Sequence, residues 1–144
     1  KMYGLAGLRL GYSVLPGWLA DAVMRVKLPF SVNLVAEEAG LAALADSAFV
    51  RCTRETVLRG RADLAAGLAE LGCTVRPSQA NFLLFDLPAG SPLDAAGFFQ
   101  ALLRRGIIIR PLASYNLPNS LRVSVGSERE NTLFLAAAKD TLRG

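Results

Sequence analysis

Three stretches in the first half of the chain predict helices. The first and third place apolar residues at three- and four-residue spacing, the period of a helix with one buried face. The three stretches cover residues 17–26, 33–45 and 47–71. Asn33 is a candidate N-cap for the second helix, and Gly72 is a candidate C-cap for the third. The second helix is apolar on nearly all sides, so we expect it to be buried.

Short runs of alternating or β-branched apolar residues predict strands elsewhere in the chain. The predicted strands cover residues 8–15, 73–76, 81–87, 107–109 and 121–125. Two more helices lie among the later strands: one follows Pro92 and ends before Gly106, and a capping box, Ser127-x-x-Glu130, begins the other. This mixture favours an α/β or α+β fold in which helices pack against a small sheet.

Composition excludes several classes of protein. The 144 residues are 52% hydrophobic and 19% charged, which is enough apolar surface for the core of one folded domain. The sequence contains no histidine, and Cys52 and Cys73 do not form a C-x-x-C pair, so we expect no structural zinc and no other metal site. The absence of histidine also excludes Ser-His-Asp and Cys-His catalytic triads.

The charge pattern argues against nucleic-acid and membrane partners. The net charge is +4, and basic residues alternate with acidic ones at i,i+4 spacing in Arg51, Glu55, Arg59 and Asp63, which is typical of a solvated helix face. No apolar stretch reaches the roughly 20 residues that cross a bilayer, and no secretory signal pattern is present, so we expect a cytoplasmic protein. The chain opens at Lys1 without an initiator methionine, and we therefore expect a fragment.

The densest candidate chemistry lies in residues 1–12, K-M-Y-G-L-A-G-L-R-L-G-Y. A lysine amine can form a Schiff base with an aldehyde, and a planar guanidinium suits a phosphate group. If the aldehyde is that of pyridoxal phosphate, Lys1 and Arg9 can bind the two ends of one cofactor. Gly4 and Gly7 permit the chain reversal that this requires. Taken alone, a lysine followed by glycines is more often part of a surface loop.

Residues 1–12 resemble the lysine segment S-K-x-x-G-L-A-G-x-R-x-G-Y of fold-type-I pyridoxal-phosphate enzymes, and among these they are most similar to the histidinol-phosphate aminotransferases. Three further segments agree with that family in order. They are KLPFSVN at residues 27–33, PSQANF at 77–82, and GIIIRP followed by LRVSVG within 106–126. The resemblance covers nearly the whole chain and implies the C-terminal part of such an enzyme.

For the fold, the resemblance implies a small, mostly antiparallel sheet with helices packed on one face. It implies that residues 1–32 end the cofactor-binding large domain, that 33–72 are connecting helices, and that 73–144 form a small C-terminal α/β domain. A homodimer is implied for the full-length protein. The sequence lacks what the family carries before the lysine, including the aromatic ring that stacks on the pyridine and the Asp that pairs with its nitrogen. We therefore expect the fragment alone to be inactive.

The resemblance also implies the site residues. Lys1 matches the Schiff-base lysine, and Arg9 matches a ligand of the cofactor phosphate. Arg122 falls where the family binds the anionic group of the substrate, whereas spacing alone favours an ion pair at a sheet edge. Arg110 is assigned to the phosphate end of the substrate, with a structural ion pair as the alternative. Two further residues border the site in relatives, Asn81 and Tyr115. Each of these two can instead be structural, in ordering a strand entry or closing a loop.

The implied activity is that of a transaminase with pyridoxal phosphate as cofactor. It moves an amino group between glutamate or 2-oxoglutarate and histidinol phosphate or imidazole acetol phosphate, in histidine biosynthesis. Within the superfamily, an aromatic aminotransferase or a threonine-phosphate decarboxylase is the alternative. A non-catalytic basic interaction module is the alternative from a different class. Against that module, the three tyrosines and one tryptophan are not interleaved with basic clusters, as a groove for single-stranded nucleic acid requires.

Overall fold

The computed structural model describes residues 2–143, which form two compact units that divide inside a helix, between Arg54 and Glu55. Unit 1 comprises the described residues up to Arg54, and unit 2 comprises those from Glu55 onward. In chain order the elements are a 3-10 helix (Ala6–Leu8), α1 (Gly17–Val26), α2 (Leu34–Ala45), α3 (Ser47–Glu70), β1 (Thr74–Val75), β2 (Phe82–Asp86), α4 (Ala95–Leu103), β3 (Arg110–Leu112), a second 3-10 helix (Ala113–Tyr115), β4 (Leu117–Ser124) and α5 (Glu128–Arg143).

Unit 1 is helical, and the three predicted helices of the first half of the chain are confirmed. α2 begins after Asn33, whose side-chain oxygen accepts a hydrogen bond from the backbone N–H of Ala36 at 2.8 Å. This bond satisfies one of the backbone donors that have no partner within the first turn of a helix, as an N-cap does.

Two expectations for unit 1 are wrong. Residues 8–15 form no strand, because a strand needs a neighbouring strand to take up its backbone N–H and C=O groups, and the described part of unit 1 supplies none. α2 is exposed along most of its length, and only Ala36 is buried. A helix that is apolar on all sides needs neighbours on all sides, and within unit 1 the described contact is on one side, where Leu10 packs against Gly40.

Unit 2 is built on a four-stranded sheet in the order β1-β2-β4-β3, with all three pairings antiparallel. Leu83 lies opposite Val123, and Phe85 lies opposite Leu121, and all four side chains are buried on the same face. Residues of α3, α4 and α5 complete this core, among them Leu64, Leu68, Phe98, Leu102, Phe134 and Ala138. The predicted small antiparallel sheet with helices on one face is confirmed.

Two helix termini in unit 2 follow the predicted chemistry. Gly72 ends α3 with a φ of +81°, and the N–H of Cys73 donates to the carbonyl of Leu68 at 3.0 Å. At the start of α5, the backbone N–H and the hydroxyl of Ser127 both donate to Oε2 of Glu130, each at 2.7 Å. The backbone N–H of Glu130 donates in return to the Ser127 hydroxyl at 3.4 Å, so the capping box is formed.

The start of α4 differs from the prediction. The helix begins at Ala95 rather than in a first turn around Pro92, because Asp94 is its N-cap. The Asp94 carboxylate accepts a hydrogen bond from the N–H of Gly97 at 2.7 Å. An acidic N-cap fixes where the helix starts more strongly than the tolerance of proline for a first turn.

The predicted strand at residues 107–109 is also wrong, because the chain there still completes the end of α4. Gly106 has a φ of +75°, and the N–H of Ile107 donates to the carbonyl of Leu102 at 3.0 Å. The strand itself, β3, begins three residues later than predicted, at Arg110–Leu112.

Candidate functional site

The face of the sheet that points away from the core carries the polar residues of the strands. On this face Leu84 of β2 lies opposite Arg122 of β4, and Asp86 lies opposite Ser120. On the other side of β4, Arg110 of β3 is the direct partner of Arg122. Successive side chains of a strand point to opposite faces, so the side chains that point away from the core share one surface, which we call the arginine face. Its members are Phe82, Leu84, Asp86, Arg110, Ser120 and Arg122.

Arg122 is half-buried, and its guanidinium lies over the ring of Phe82, with 5.0 Å between Cζ and the ring centroid. Its Nε is buried and has no hydrogen-bond partner among residues 2–143. A buried donor without an acceptor costs about 1–3 kcal/mol. Arg122 is therefore a cation that is held in place by an aromatic ring and still has hydrogen-bonding capacity for an anion.

Arg110 is exposed, and like Arg122 it forms no ion pair with any residue in the range 2–143. Like charges directly opposite each other on neighbouring strands destabilise a sheet. The sequence alone allowed a structural ion pair for each of these two arginines, and no such pair forms among the described residues. An anion bound between the two guanidinium groups would relieve their repulsion and accept bidentate hydrogen bonds.

Asp86 is the only acidic residue in the four strands, and it is engaged elsewhere. One carboxylate oxygen pairs with Nη2 of Arg76 at 2.9 Å, and the other accepts a hydrogen bond from the hydroxyl of Ser120 at 2.5 Å. These two contacts direct the carboxylate toward Arg76 and Ser120, so Asp86 forms no ion pair with Arg110 or Arg122.

Arg9 belongs to unit 1 and follows the first 3-10 helix with a left-handed φ of +59°. Its Nη1 donates to the carbonyl of Ala6 at 3.2 Å, and its side chain is otherwise exposed. It lines a pocket of about 770 Å³ together with Tyr3, Tyr12, Glu37 and other residues of unit 1. Within the described chain no acidic residue forms an ion pair with Arg9.

Two tyrosines of this pocket were not singled out from the sequence. The rings of Tyr3 and Tyr12 lie 6.3 Å apart between centroids, and the hydrogen bond between them raises the pKa of Tyr3 above its ordinary value. The sequence signal for them is their place at the two ends of the glycine-containing segment, where a reversal of the chain brings them together. Gly4, with a φ of +69°, takes part in that reversal.

The other predicted site residues are placed as follows. Lys1 lies outside the described residues. Asn81 is half-buried and uses its backbone carbonyl to accept a hydrogen bond from the N–H of Val125 at 2.9 Å, which extends the pairing of β2 with β4. Tyr115 is exposed at the end of the second 3-10 helix, between β3 and β4. The structure therefore brings Arg110 and Arg122 together.

Other reactive groups contribute little to this site. Burial raises the pKa of the Cys73 thiol to about 11, so the thiol stays protonated and unreactive at neutral pH. Residues 2–143 contain no cluster of three or more His, Cys, Asp or Glu side chains that could hold a metal ion. In the same range, no helix combines the length and the apolar character needed to cross a bilayer.

Comparison with known sequences finds an extensive match. A family model described as aminotransferase class I and II matches residues 1–137. The histidinol-phosphate aminotransferase of Oleidesulfovibrio alaskensis is 58% identical over 144 residues, which is 100% of this chain and 38% of that protein. The chain therefore spans well under half the length of this curated relative.

Solved structures share the fold. The histidinol-phosphate aminotransferase from Sinorhizobium meliloti, solved in complex with pyridoxal-5'-phosphate, matches with a TM-score of 0.78 and 28% identity, over 99% of this chain and 39% of that chain. The L-threonine-O-3-phosphate decarboxylase from Porphyromonas gingivalis matches with a TM-score of 0.80 and 27% identity, over 99% of this chain and 44% of that chain. The same architecture thus occurs in proteins named for two different reactions.

Proposed function

The chain belongs to the class I and II aminotransferase family, and on this basis we propose that the whole protein transfers an amino group between glutamate and the keto form of histidinol phosphate. The observation that carries the proposal is the 58% identity to a histidinol-phosphate aminotransferase over the entire chain. A fold alone does not determine the substrate, so the assignment also needs support from particular side chains.

The arginine face supports a phosphate-bearing substrate. Arg110 and Arg122 offer two guanidinium groups from adjacent strands, and Asp86 is held by other partners. We propose that Arg122 grips the anionic group of each substrate with its planar fork, and that Arg110 adds charge for the phosphate end of histidinol phosphate. Asn81 and Tyr115 are proposed to border the same site.

We propose pyridoxal phosphate as the cofactor, held by Lys1 and Arg9. The Arg9 guanidinium fits a phosphate because it is exposed in a concave pocket and no acidic residue among those described is paired with it. When bound, the cofactor supplies an electron-withdrawing ring that makes the proton on the amino-bearing carbon of the substrate acidic. The Nζ of Lys1 would take that proton as a general base.

For the whole protein we propose a cytoplasmic homodimer. In each subunit, residues 1–32 complete the large domain, residues 33–72 form the connecting helices, and residues 73–144 form the small domain.

The exposed apolar side chains of unit 1 support the proposal that other parts of the whole protein, or a second copy of it, cover this unit. Trp18 and Phe30 are 73% and 100% exposed. A surface with many exposed large apolar side chains is typical of an interaction site that another part of the assembled molecule covers. We propose that these 144 residues alone are inactive.

The experiment that tests the substrate uses the full-length protein with four amino donors. These are histidinol phosphate, histidinol, an aromatic amino acid and threonine phosphate, each with 2-oxoglutarate as acceptor. We expect kcat/KM to be highest for histidinol phosphate and to fall for histidinol, because the missing phosphate leaves the arginine face unpaired. Higher kcat/KM for the aromatic amino acid would assign the protein to the aromatic aminotransferases. Release of carbon dioxide from threonine phosphate would assign the protein to the decarboxylases, the class of the structurally similar Porphyromonas gingivalis enzyme.

A further inference from the structure

The side chains of Phe82 and Arg122 come together across two strands that pair directly. Phe82 lies opposite Ser124, and Arg122 lies opposite Leu84, so the two residues are diagonal neighbours on the arginine face. Diagonal neighbours of this kind are within reach of each other when one side chain is aromatic and the other is long. The 5.0 Å separation of Cζ and the ring centroid is within the range of a cation–π contact.

An aromatic ring holds a guanidinium differently from a carboxylate. A carboxylate accepts hydrogen bonds from the edge of the guanidinium, which uses the same donors that an anionic substrate needs and cancels the positive charge. A ring contacts the flat face of the guanidinium and leaves all five N–H groups at its edge. The Nε of Arg122 is buried and has no hydrogen-bond acceptor among residues 2–143, and its Cζ lies over the Phe82 ring, which agrees with a cation held by a ring rather than by a carboxylate.

We propose that Phe82 is a positioning residue, one that holds the Arg122 guanidinium flat so that its N–H edge is presented to the phosphate or carboxylate of the substrate. This inference rests on the proposed function, because it assumes that Arg122 binds the substrate anion. Arginine has many side-chain conformers, and binding an anion with a free arginine requires that most of them be given up. An arginine already held by a ring loses less conformational freedom on binding, so the anion binds more tightly.

The test uses the full-length protein loaded with its cofactor, and inorganic phosphate as a competitive inhibitor against histidinol phosphate. Phe82→Leu keeps an apolar side chain and removes the ring, whereas Phe82→Tyr keeps the ring. We expect Phe82→Leu to raise the phosphate inhibition constant and the KM for histidinol phosphate about 2- to 30-fold, with kcat changed less. Phe82→Tyr should restore both constants to within about twofold of the parent.

A matched control separates positioning from packing. Phe99 is half-buried on α4 and packs against the core of unit 2, which lies on the side of the sheet opposite the arginine face. Phe99→Leu makes the same chemical change and should leave the inhibition constant for phosphate unchanged. An equal rise in that constant for Phe99→Leu and Phe82→Leu would overturn the proposal, because a general loss of packing would then explain both.

A second replacement at the same position keeps the shape of the ring. Incorporation of pentafluorophenylalanine at residue 82 retains the size of the side chain and removes the negative potential of the ring face that attracts a cation. We expect the fluorinated ring to weaken phosphate binding as Phe82→Leu does. This variant tests the proposal even if Phe82→Leu fails to fold. Unchanged phosphate binding with the fluorinated ring would overturn the proposal.

The failure of this inference and the failure of the proposed function give different results. If Arg122→Lys weakens phosphate inhibition while Phe82→Leu and the fluorinated ring do not, Arg122 keeps its role and the positioning by Phe82 is wrong. If Arg122→Lys leaves phosphate inhibition at the parent value, the anion-binding role of Arg122 is wrong, and the role of Phe82 falls with it.

Discussion

Arg110 and Arg122 lie directly opposite each other on adjacent antiparallel strands, and neither forms an ion pair within residues 2–143. A sheet that served only stability would place an acidic or neutral residue at one of these positions, because opposed like charges cost about 0.2–1 kcal/mol. The one carboxylate of the strands, on Asp86, is instead held by Arg76 and Ser120. Two positive charges therefore lie on the arginine face without an acidic partner among the described residues, as an anion-binding site requires.

Arg122→Lys tests whether the Arg122 guanidinium binds the substrate anion with two parallel hydrogen bonds. Lysine keeps the charge and loses the planar fork, so we expect the KM for glutamate and for histidinol phosphate to rise about 10- to 100-fold, the range for losing a hydrogen bond to a charged group. The melting temperature should change by no more than about 2 °C. Steady-state kinetics and melting curves of the full-length protein check both, with the exposed Arg104→Lys as the control. Parent kinetics with both substrates would exclude the anion-gripping role.

Arg110→Ala separates the two substrates. Removing this guanidinium takes away the repulsion with Arg122, so we expect the free energy of unfolding to stay constant or to rise by about 0.2–1 kcal/mol. The KM for histidinol phosphate should rise more than the KM for glutamate, since a phosphate carries more charge for a second arginine to bind. A purely structural ion pair predicts the reverse, with lower stability and unchanged kinetics.

The helices of this protein could be predicted because their signals are local. The apolar spacing of α1 and α3, the N-cap at Asn33 and the positive φ at Gly72 depend on residues within a turn or two of each other. The exposure of α2 and the absence of a strand at residues 8–15 depend on what lies beside them, which local spacing does not contain. The start of α4 is a different case, because both signals are local and the N-cap at Asp94 outweighs the tolerance of the first turn for Pro92.

The candidate site could be predicted only in part, for a related reason. Arg9 and Arg122 were found by resemblance to a motif, but the pairing of Arg110 with Arg122 follows from the register of two strands. The contact between Phe82 and Arg122 likewise depends on register between segments about 40 residues apart in the chain. A shift of register by one residue would move every side chain to the other face, so the alternating apolar pattern excludes it. A shift by two residues keeps the same faces, and the structure supplies the choice among such registers.

Arg9→Asn tests the cofactor phosphate ligand. Asparagine tolerates the left-handed φ of +59° better than alanine does, so this change removes the charge with little backbone strain. We expect the affinity for pyridoxal phosphate to fall about 10- to 100-fold, and the turnover of the cofactor-saturated protein to fall less. A fluorescence titration of the full-length apoprotein measures the affinity. Arg25→Ala, which removes an exposed arginine from α1, is the control, and equal affinities for the Arg9 variant and the parent would contradict the assignment.

Lys1→Ala tests the covalent attachment of the cofactor. In the full-length parent, borohydride reduction should fix pyridoxal phosphate on the protein, and peptide mass spectrometry should locate it on Lys1. The variant should carry no fixed cofactor after reduction and should show no transaminase turnover. Lys27→Ala is the matched control in the same sequence region. Cofactor fixed at another residue, or turnover that survives in the Lys1 variant, would show that a different lysine does the chemistry.

The capping box at the start of α5 makes the stability of that helix terminus depend on pH. Hydrogen bonds from the backbone N–H and the hydroxyl of Ser127 lower the pKa of Glu130 below its ordinary value. A carboxyl whose pKa is lower in the folded state stabilises that state above its unfolded pKa, and the contribution is lost as the pH falls through the folded pKa.

We therefore expect the backbone amides at the start of α5 to lose protection against hydrogen exchange as the pH falls below about 4.5, the ordinary pKa of a glutamate. Glu130→Gln has no carboxyl to protonate, so its protection factors should be lower than those of the parent at neutral pH and nearly constant across the acid range. Exchange measured by mass spectrometry on the peptide that covers this turn, corrected for the intrinsic pH dependence of exchange, checks the prediction. Glu128→Gln is the control, because Glu128 lies in the same first turn and receives no hydrogen bond from Ser127. Protection that falls equally with acid in the parent and in Glu130→Gln would mean that another group controls this end of the helix.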